Sequence, residues 1–248
     1  MIIISNVCKK FGTKEVLKGI NLKIYDGETL VILGPSGCGK SVLLKHVIGL
    51  LKPDSGQILI DGEDITTFNQ NRLDALRMRM GMLFQSAALF DSLTVEENIA
   101  FALRKHTNID IKAIHHMVSE KLEWVGLPGA NNLMPSELSG GMRKRVGLAR
   151  AIAMEPEIIL YDEPTTGLDP IMTCAIDELN LSLKKRLGVT SIVVTHDLNS
   201  AYRISDRLAL HYGGQIVAIG TKEEIKNSPN PLVRQFIEGE AKGPMSLL

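Results

Sequence analysis

The stretch that decides the fold is Gly34-Pro35-Ser36-Gly37-Cys38-Gly39-Lys40-Ser41. It matches the pattern G-x-x-x-x-G-K-[ST], follows the apolar run 29–33 and precedes a helix-like segment over residues 41–51. Its glycines let backbone N–H groups turn inward around phosphate oxygens, and the following helix adds its positive N-terminal end. We expect Lys40 to reach the β- and γ-phosphates of a nucleotide and the Ser41 hydroxyl to bind Mg²⁺. The alternative, a plain glycine-rich turn before a helix, is opposed by the order of strand, loop and helix.

A second candidate element is the apolar strand 158–161, which ends in Asp162 and Glu163. Two carboxylates at the end of a buried strand are costly unless they face a cation or water. Asp162 therefore fits a Mg²⁺ ligand, and Glu163 fits the carboxylate that polarises an attacking water. A solvated junction between strand and loop is the alternative, and the phosphate loop upstream favours the reactive site.

The segment Leu138-Ser139-Gly140-Gly141-Met142 precedes a helical stretch over residues 143–154. Taken alone, it is typical of a helix cap. A Ser hydroxyl and exposed N–H groups at a helix N-terminus also make an anion site. A single nucleotide could therefore bridge two chains, between residues 34–41 of one and 138–142 of the other.

The order of strands and helices around these segments predicts an α/β fold. Residues 2–7 and 20–24 are strand-like, and residues 69–155 look mostly helical, with Thr94 and Asp110 as expected N-caps. Strands alternate with helices from residue 157. An apolar strand, a glycine loop and a helix, followed by a later strand that ends in acids, indicate a parallel core. Ligands of such cores bind beyond the carboxyl ends of the strands, where both loops fall.

Composition and charge exclude other classes of protein. The 248 residues include 28 Lys+Arg and 28 Asp+Glu, and the resulting zero net charge removes the bulk basic charge of a nucleic-acid binder. The apolar runs fall short of the roughly 20 residues of a membrane span, and the N-terminus lacks the features of a signal peptide. The scattered Cys8, Cys38 and Cys174 predict reduced thiols in a cytoplasmic protein.

Together, the order of residues 34–41, Gln85, 138–142, Asp162-Glu163, Gly167-Leu168-Asp169 and His196 resembles the ABC-transporter ATPases over residues 1 to about 225. The resemblance implies a P-loop NTPase core with a RecA-like parallel sheet, an antiparallel β subdomain and a helical subdomain at about 86–155. It places the ATPase domain at 1–226 and a C-terminal extension at 227–248. Two subunits of this family sandwich two ATP molecules head to tail.

The resemblance also implies roles for individual residues of this chain. In chain order, Phe11 stacks on adenine, Gln85 contacts Mg²⁺ or the attacking water, Ser139, Gly140 and Gly141 meet the γ-phosphate of the partner's ATP, Asp169 lies at the dimer seam, and His196 hydrogen-bonds the γ-phosphate. The predicted catalytic set is then Lys40, Gln85, Glu163 and His196, and the predicted Mg²⁺ ligands are Ser41, Gln85 and Asp162. A core position for Phe11 is the alternative to stacking. Met142 stands where the family commonly has Gln, but the Ser and Gly donors remain.

Residues 84–98, 138–145 and 233–244 further resemble the ATPases of Mla/Mce-type lipid-trafficking transporters. This implies an ATPase that powers phospholipid transport through a separate permease. The implied partners are a second ATPase subunit, the integral-membrane permease and an Mce-type lipid-binding protein, with no nucleic acid. The implied location is peripheral, on the cytoplasmic face of the inner membrane.

Several alternatives stay open from the sequence. A transporter for an amino acid or metal ion would share every catalytic residue. A non-transport member of the class is opposed by the lack of a coiled-coil insertion or a second phosphate loop. The basic run 143–145 could be a solvated helix face or could meet the partner's phosphates. The side chains of Leu89, Phe90 and Leu93 could pack internally or meet the permease. Phe236 could dock on its own subunit or on its partner.

Overall fold

The computed structural model describes residues 1–246, which divide into two compact units. Unit 1 comprises Met1–Asp74 and the chain from Ile192 onward, and unit 2 comprises Ala75–Ser191. The phosphate loop lies in unit 1, whereas the segment 138–142 and the acids that follow residue 161 lie in unit 2.

An antiparallel sheet in unit 1 has the strand order β2-β1-β4-β5. Its strands are β1 (Ile2–Phe11), β2 (Lys14–Ile24), β4 (Ser55–Ile60) and β5 (Glu63–Asp64). Alternate residues such as Ile2, Ile4 and Ile58 are buried, the pattern of a sheet with one face on a core. The strands predicted at 2–7 and 20–24 are present and longer, because a tight turn after Phe11 joins them into one hairpin with Phe11 opposite Lys14.

The second sheet has six strands in the order β10-β9-β3-β8-β7-β6. They are β3 (Thr29–Leu33), β6 (Met80–Leu83), β7 (Ile158–Asp162), β8 (Thr190–Thr195), β9 (Arg207–Tyr212) and β10 (Gln215–Thr221). β3 pairs in parallel with β9, and β6 with β7, whereas β9 and β10 form an antiparallel hairpin. Every residue of β3, β7 and β8 is buried, as continuous apolar strands require in a parallel sheet.

The helices begin where short polar side chains cap their first turns. Thr94 forms a capping box with Glu97, and Asp110 accepts hydrogen bonds from the N–H groups of Lys112 and Ala113, so both predicted N-caps are confirmed. Within residues 1–246, no helix has the length and apolar character that crossing a membrane requires. The helices are α1 (Lys40–Val47), α2 (Gln70–Met78), α3 (Val95–His106), α4 (Ile111–Trp124), α5 (Gly140–Ile152), α6 (Pro170–Leu187), α7 (Leu198–Ile204), α8 (Lys222–Lys226) and α9 (Pro231–Glu238).

Two features add to the predictions for these regions. The region 69–155 is mostly helical, as expected, and also contains the strand β6, whose four buried residues pair with β7; a short apolar run carries no periodicity that separates strand from helix. The predicted C-terminal extension after residue 227 includes α9, whose Val233 and Gln235 are buried.

Candidate nucleotide-binding site

In unit 1, the loop between β3 and α1 folds around the side chain of its own lysine. Lys40 is the first residue of α1 and is only 5% exposed. Its Nζ donates hydrogen bonds to the carbonyl oxygens of Gly34, at 2.8 Å, and Pro35, at 3.0 Å. The ammonium group is therefore held against the start of the loop, next to the N-terminus of α1, where the positive end of the helix dipole favours a phosphate.

Two glycines of this loop stand where a larger residue would collide with a neighbouring strand. A Cβ on Gly34 would lie 2.3 Å from the carbonyl oxygen of His211, and one on Gly39 would lie 2.8 Å from Cγ1 of Val16. Gly39 also caps α1 in the left-handed conformation, with φ of 108°. The loop is thus packed directly on β9 and β2, which fixes its shape.

His211 is a neighbour of the loop that sequence analysis did not single out. Its Nδ1 lies 3.0 Å from Sγ of Cys38, and its side chain is fully buried on β9. Burial, with a smaller contribution from the charge on Lys40, lowers the pKa of His211 to about 4. The imidazole is therefore neutral at pH 7, and no sequence signal distinguishes it from any other histidine in a strand.

Phe11 and His196 complete the predicted residues of unit 1. Phe11 ends β1 and is 47% exposed, with Nζ of Lys9 at 5.7 Å from its ring centroid. The ring is therefore not a core residue, which was the alternative to base stacking. His196 is exposed and follows directly after β8, whose last residue, Thr195, is buried.

In unit 2, a buried lysine on α5 links the residue after β7, Glu163, to Gln85, which lies two residues after the end of β6. Lys144 of α5 is 5% exposed, and its Nζ donates hydrogen bonds to the main-chain carbonyls of Gln85 and Glu163, the latter at 3.1 Å. Burial lowers the pKa of Lys144, while the nearby carboxylates of Asp162 and Glu163 act in the opposite direction. Lys144, the central residue of the basic run 143–145, is thus an internal tether and not part of a solvated face, whereas Arg143 is exposed.

Glu163 is held in an unusual conformation. Its φ is 49°, in the left-handed region that non-glycine residues seldom adopt. Thr166 donates a hydrogen bond from its hydroxyl to Oε2 of Glu163 at 3.0 Å, and both Asp162 and Glu163 are buried. Strain of this kind persists where surrounding contacts fix it and is common at functional sites.

Two helix N-termini in unit 2 carry predicted site residues: the segment 138–142 precedes and begins α5, and Asp169 precedes α6. The Ser139 hydroxyl accepts a hydrogen bond from the N–H of Met142 at 3.2 Å, and the Asp169 carboxylate accepts from two N–H groups at the start of α6. Met172 of α6 packs against Gly141. Ser139 and Gly140 are exposed, so the N-terminus of α5 is accessible to solvent although Ser139 caps it.

The exposed segment after Gln85 rests on main-chain contacts. Asn98, fully buried on α3, accepts a hydrogen bond from the N–H of Phe90 and donates to the carbonyls of Phe90, Leu93 and Thr94. The exposed rings of Phe90 and Phe101 contact each other with centroids 4.9 Å apart. This part of unit 2 presents an aromatic surface on a fixed turn.

A strand, a phosphate loop with its buried lysine and a helix define a P-loop nucleotide-binding protein. Residues 17–166 match the family model described as ABC transporter, and the chain belongs to this family. It is an ATP-binding and ATP-hydrolysing subunit of that class of transporter. The predicted α/β fold and family are therefore confirmed.

Individual relatives cover nearly the whole chain. The intermembrane phospholipid transport system ATP-binding protein MlaF of Escherichia coli K12 is 45% identical over 94% of this chain and 87% of its own. MlaF of Haemophilus influenzae is 44% identical over 99% and 93%. A probable ribonucleotide transport ATP-binding protein, mkl, of Mycobacterium leprae is 43% identical over 98% and 70%. The dimeric ATP-binding cassette MJ0796 bound to ADP and Pi is 34% identical, with a TM-score of 0.83 over 89% of this chain and 98% of that one.

Proposed function

We propose that the chain is the ATPase subunit of a transporter that moves phospholipid between membranes. The observation that supports this most is the identity of 44–45% to two MlaF subunits over 94–99% of the chain. Ribonucleotide transport is the second candidate, because mkl is 43% identical, although the match spans a smaller share of that protein, 70%. An amino acid or a metal ion as cargo stays an alternative without a supporting relative among these.

In the proposed mechanism, the loop 34–41 holds the phosphates of ATP, with Lys40 on the β- and γ-phosphates. The Glu163 carboxylate orients the attacking water, and the His196 side chain hydrogen-bonds the γ-phosphate. Phosphoryl transfer needs little covalent chemistry from a protein, so these groups act by positioning and by stabilising charge. The contact from Thr166 and the tether from Lys144 support the role of Glu163, since they fix its side chain and its main chain.

The predicted Mg²⁺ ligands Ser41, Gln85 and Asp162 fit the ion by their chemistry. A hydroxyl, an amide oxygen and a carboxylate are hard oxygen donors, and Mg²⁺ is commonly held by one or two carboxylates together with nucleotide phosphates. When bound, the ion neutralises charge on the phosphates. Asp162 is buried at the end of β7, where such a cation would offset the cost of its charge.

The proposed active unit is a homodimer. Ser139, Gly140 and Gly141 of one copy would contact the γ-phosphate held by the other, with Asp169 at the seam. Exposure of Ser139 and Gly140 at the start of α5 supports this, and MJ0796 is dimeric with ADP and Pi.

The remaining proposed partners are a membrane permease and an Mce-type lipid-binding protein, with the chain peripheral on the cytoplasmic face of the inner membrane. The exposed rings of Phe90 and Phe101 support a protein contact after Gln85, because apolar surface of this kind marks interaction sites.

Purification of the tagged full-length chain in mild detergent tests the transport assignment. We expect a permease and an Mce-type protein to co-purify, and we expect phospholipid to raise the ATPase rate of the complex in vesicles. Stimulation by ribonucleotides and not by phospholipid would contradict the lipid assignment and favour the second candidate. The Glu163→Gln complex is the matched control, because its ATPase should not respond to any cargo.

A further inference from the structure

A cavity of about 670 Å³ borders the phosphate loop within unit 1. Its volume lies inside the roughly 300–1,000 Å³ range of small-molecule sites. One wall is the outer part of the loop, residues 35–38, and a second is the start of β2 with the turn 213–214. The opposite wall belongs to the C-terminal part of the chain, with Phe236, Gly239, Glu240, Met245 and Ser246.

The C-terminal wall is a closed loop built around one buried amide. Gln235, 5% exposed, accepts a hydrogen bond from the N–H of Met245 at 2.6 Å and donates to the carbonyl of Glu240 at 3.2 Å. Gly243 packs directly on this side chain. Because one amide joins both ends of the loop, residues 240–245 keep a defined shape against α9.

The far end of that loop is attached to the strand that supports the phosphate loop. Ser246 donates from its N–H to the hydroxyl of Tyr212 at 2.9 Å. Tyr212 follows His211, whose carbonyl lies against Gly34 and whose ring contacts Cys38. The C-terminal loop is therefore connected to the phosphate loop through two consecutive residues of β9.

Phe11 connects the cavity to the proposed base contact. It lies directly opposite Lys14 in the β1–β2 hairpin, and opposite residues of an antiparallel pair project from the same face of the sheet. Since Lys14 lines the cavity, the exposed Phe11 ring projects from the same face of the hairpin as a residue of the cavity wall. A nucleotide whose phosphates occupy the loop would then place its base and ribose in this cavity.

We propose that residues 235–246 form a wall of the nucleoside site in the same chain, with Phe236 and Met245 in contact with the base or ribose. This rests on the proposed binding of the phosphates to residues 34–41. The C-terminal segment thereby acts on nucleotide affinity directly, and Phe236 docks on its own subunit.

Binding of ADP and of pyrophosphate to the full chain and to a chain that ends at Gly239 tests the proposal. Removing the wall should weaken ADP binding about tenfold, near the lower end of what base–aromatic contacts contribute, and should leave pyrophosphate binding unchanged. Unchanged or tighter ADP binding would overturn the proposal, as would an equal loss for both ligands.

A substitution and a protection experiment keep the test independent of truncation. Gln235→Glu replaces the amide donor with a carboxylate and should release the loop, weakening ADP binding as the truncation does; Arg234→Ala, on the exposed side of α9, is the matched control. In the unaltered protein, ADP but not pyrophosphate should slow tryptic cleavage after the exposed Lys242, and equal cleavage with and without ADP would count against the wall. Lys40→Ala separates the two proposals, because retention of both ligands in that variant would refute the phosphate site itself.

Discussion

Substitution of Lys144 by Met tests whether an internal tether positions Glu163, the carboxylate proposed to orient the attacking water. Met keeps most of the length of the side chain and removes its charge and its donors. The variant leaves the main-chain carbonyls of Gln85 and Glu163 without their lysine. Each unsatisfied buried acceptor costs about 1–3 kcal/mol. Removal of the buried positive charge offsets part of the combined cost of the two. We therefore expect the free energy of unfolding to fall by about 1–3 kcal/mol.

The larger effect should fall on turnover. Glu163 keeps a φ of 49° while its carbonyl is held by Lys144, and release of that contact allows the main chain to relax. A misplacement of about 1 Å at a reacting group costs on the order of 100-fold in rate. The affinity for ADP should change by less than about threefold, because sites without shared partners behave nearly independently.

The assay combines urea unfolding, steady-state ATP hydrolysis and ADP titration on the Lys144→Met protein. Lys112→Met, an exposed lysine on α4 of the same unit, is the matched control and should stay within about 0.5 kcal/mol of the wild type. A Lys144→Met protein with wild-type turnover would refute the positioning argument. A parallel loss of ADP affinity would show instead that Lys144 acts through nucleotide binding.

Four further outcomes are expected. Glu163→Gln should bind ATP normally yet lose at least about 100-fold in hydrolysis, within the range for general-base catalysis; normal turnover would exclude its proposed role. Lys40→Ala should lose nucleotide binding, and an unchanged ATP titration would disprove the assignment of the loop. Phe11→Ala should weaken ATP binding about fivefold or more, as loss of a base–aromatic contact does, and an equal affinity would remove the stacking proposal. The folded-state pKa of His211 is lowered to about 4 from 6.5, so between these pH values the unfolded state binds a proton that the folded state does not, and the free energy of unfolding falls as the pH drops. The decrease in the free energy of unfolding between pH 7 and pH 4 should therefore be about 2–3 kcal/mol smaller for His211→Phe than for the wild type. Identical pH profiles would contradict this.

Features that depend on neighbouring residues in the chain were predictable from the sequence. The phosphate loop follows its strand and precedes its helix, because glycines, lysine and hydroxyl occupy the positions that the backbone conformation requires. The caps Thr94 and Asp110 were identified in the same way, from short polar side chains ahead of helix-spaced apolar residues. The roles of the site residues themselves stay predictions that the variants above test.

Features that depend on distant partners were not predictable. Lys144 sits in a basic run and is nevertheless buried, because its ammonium bonds to two carbonyls of residues far away in the chain. His211 carries no local signal, and only the strand order brings it to Cys38. Gln235 looks like a surface residue of an amphipathic helix until the chain returns and bonds to its amide. In each case tertiary packing determines the hydrogen-bond or contact partner, and sequence periodicity does not predict tertiary packing.

Asn98 fixes the main chain of the segment after Gln85 without using the side chains of that segment. Each of its hydrogen-bond partners is a main-chain atom, so the amide recognises the path of the chain and not the side chains along it. The exposed positions 90–92 can consequently vary in their side chains while the loop keeps its shape. Evolution or an engineer could thus retarget this surface to a new protein by exchanging exposed side chains, provided that Asn98 itself stays untouched.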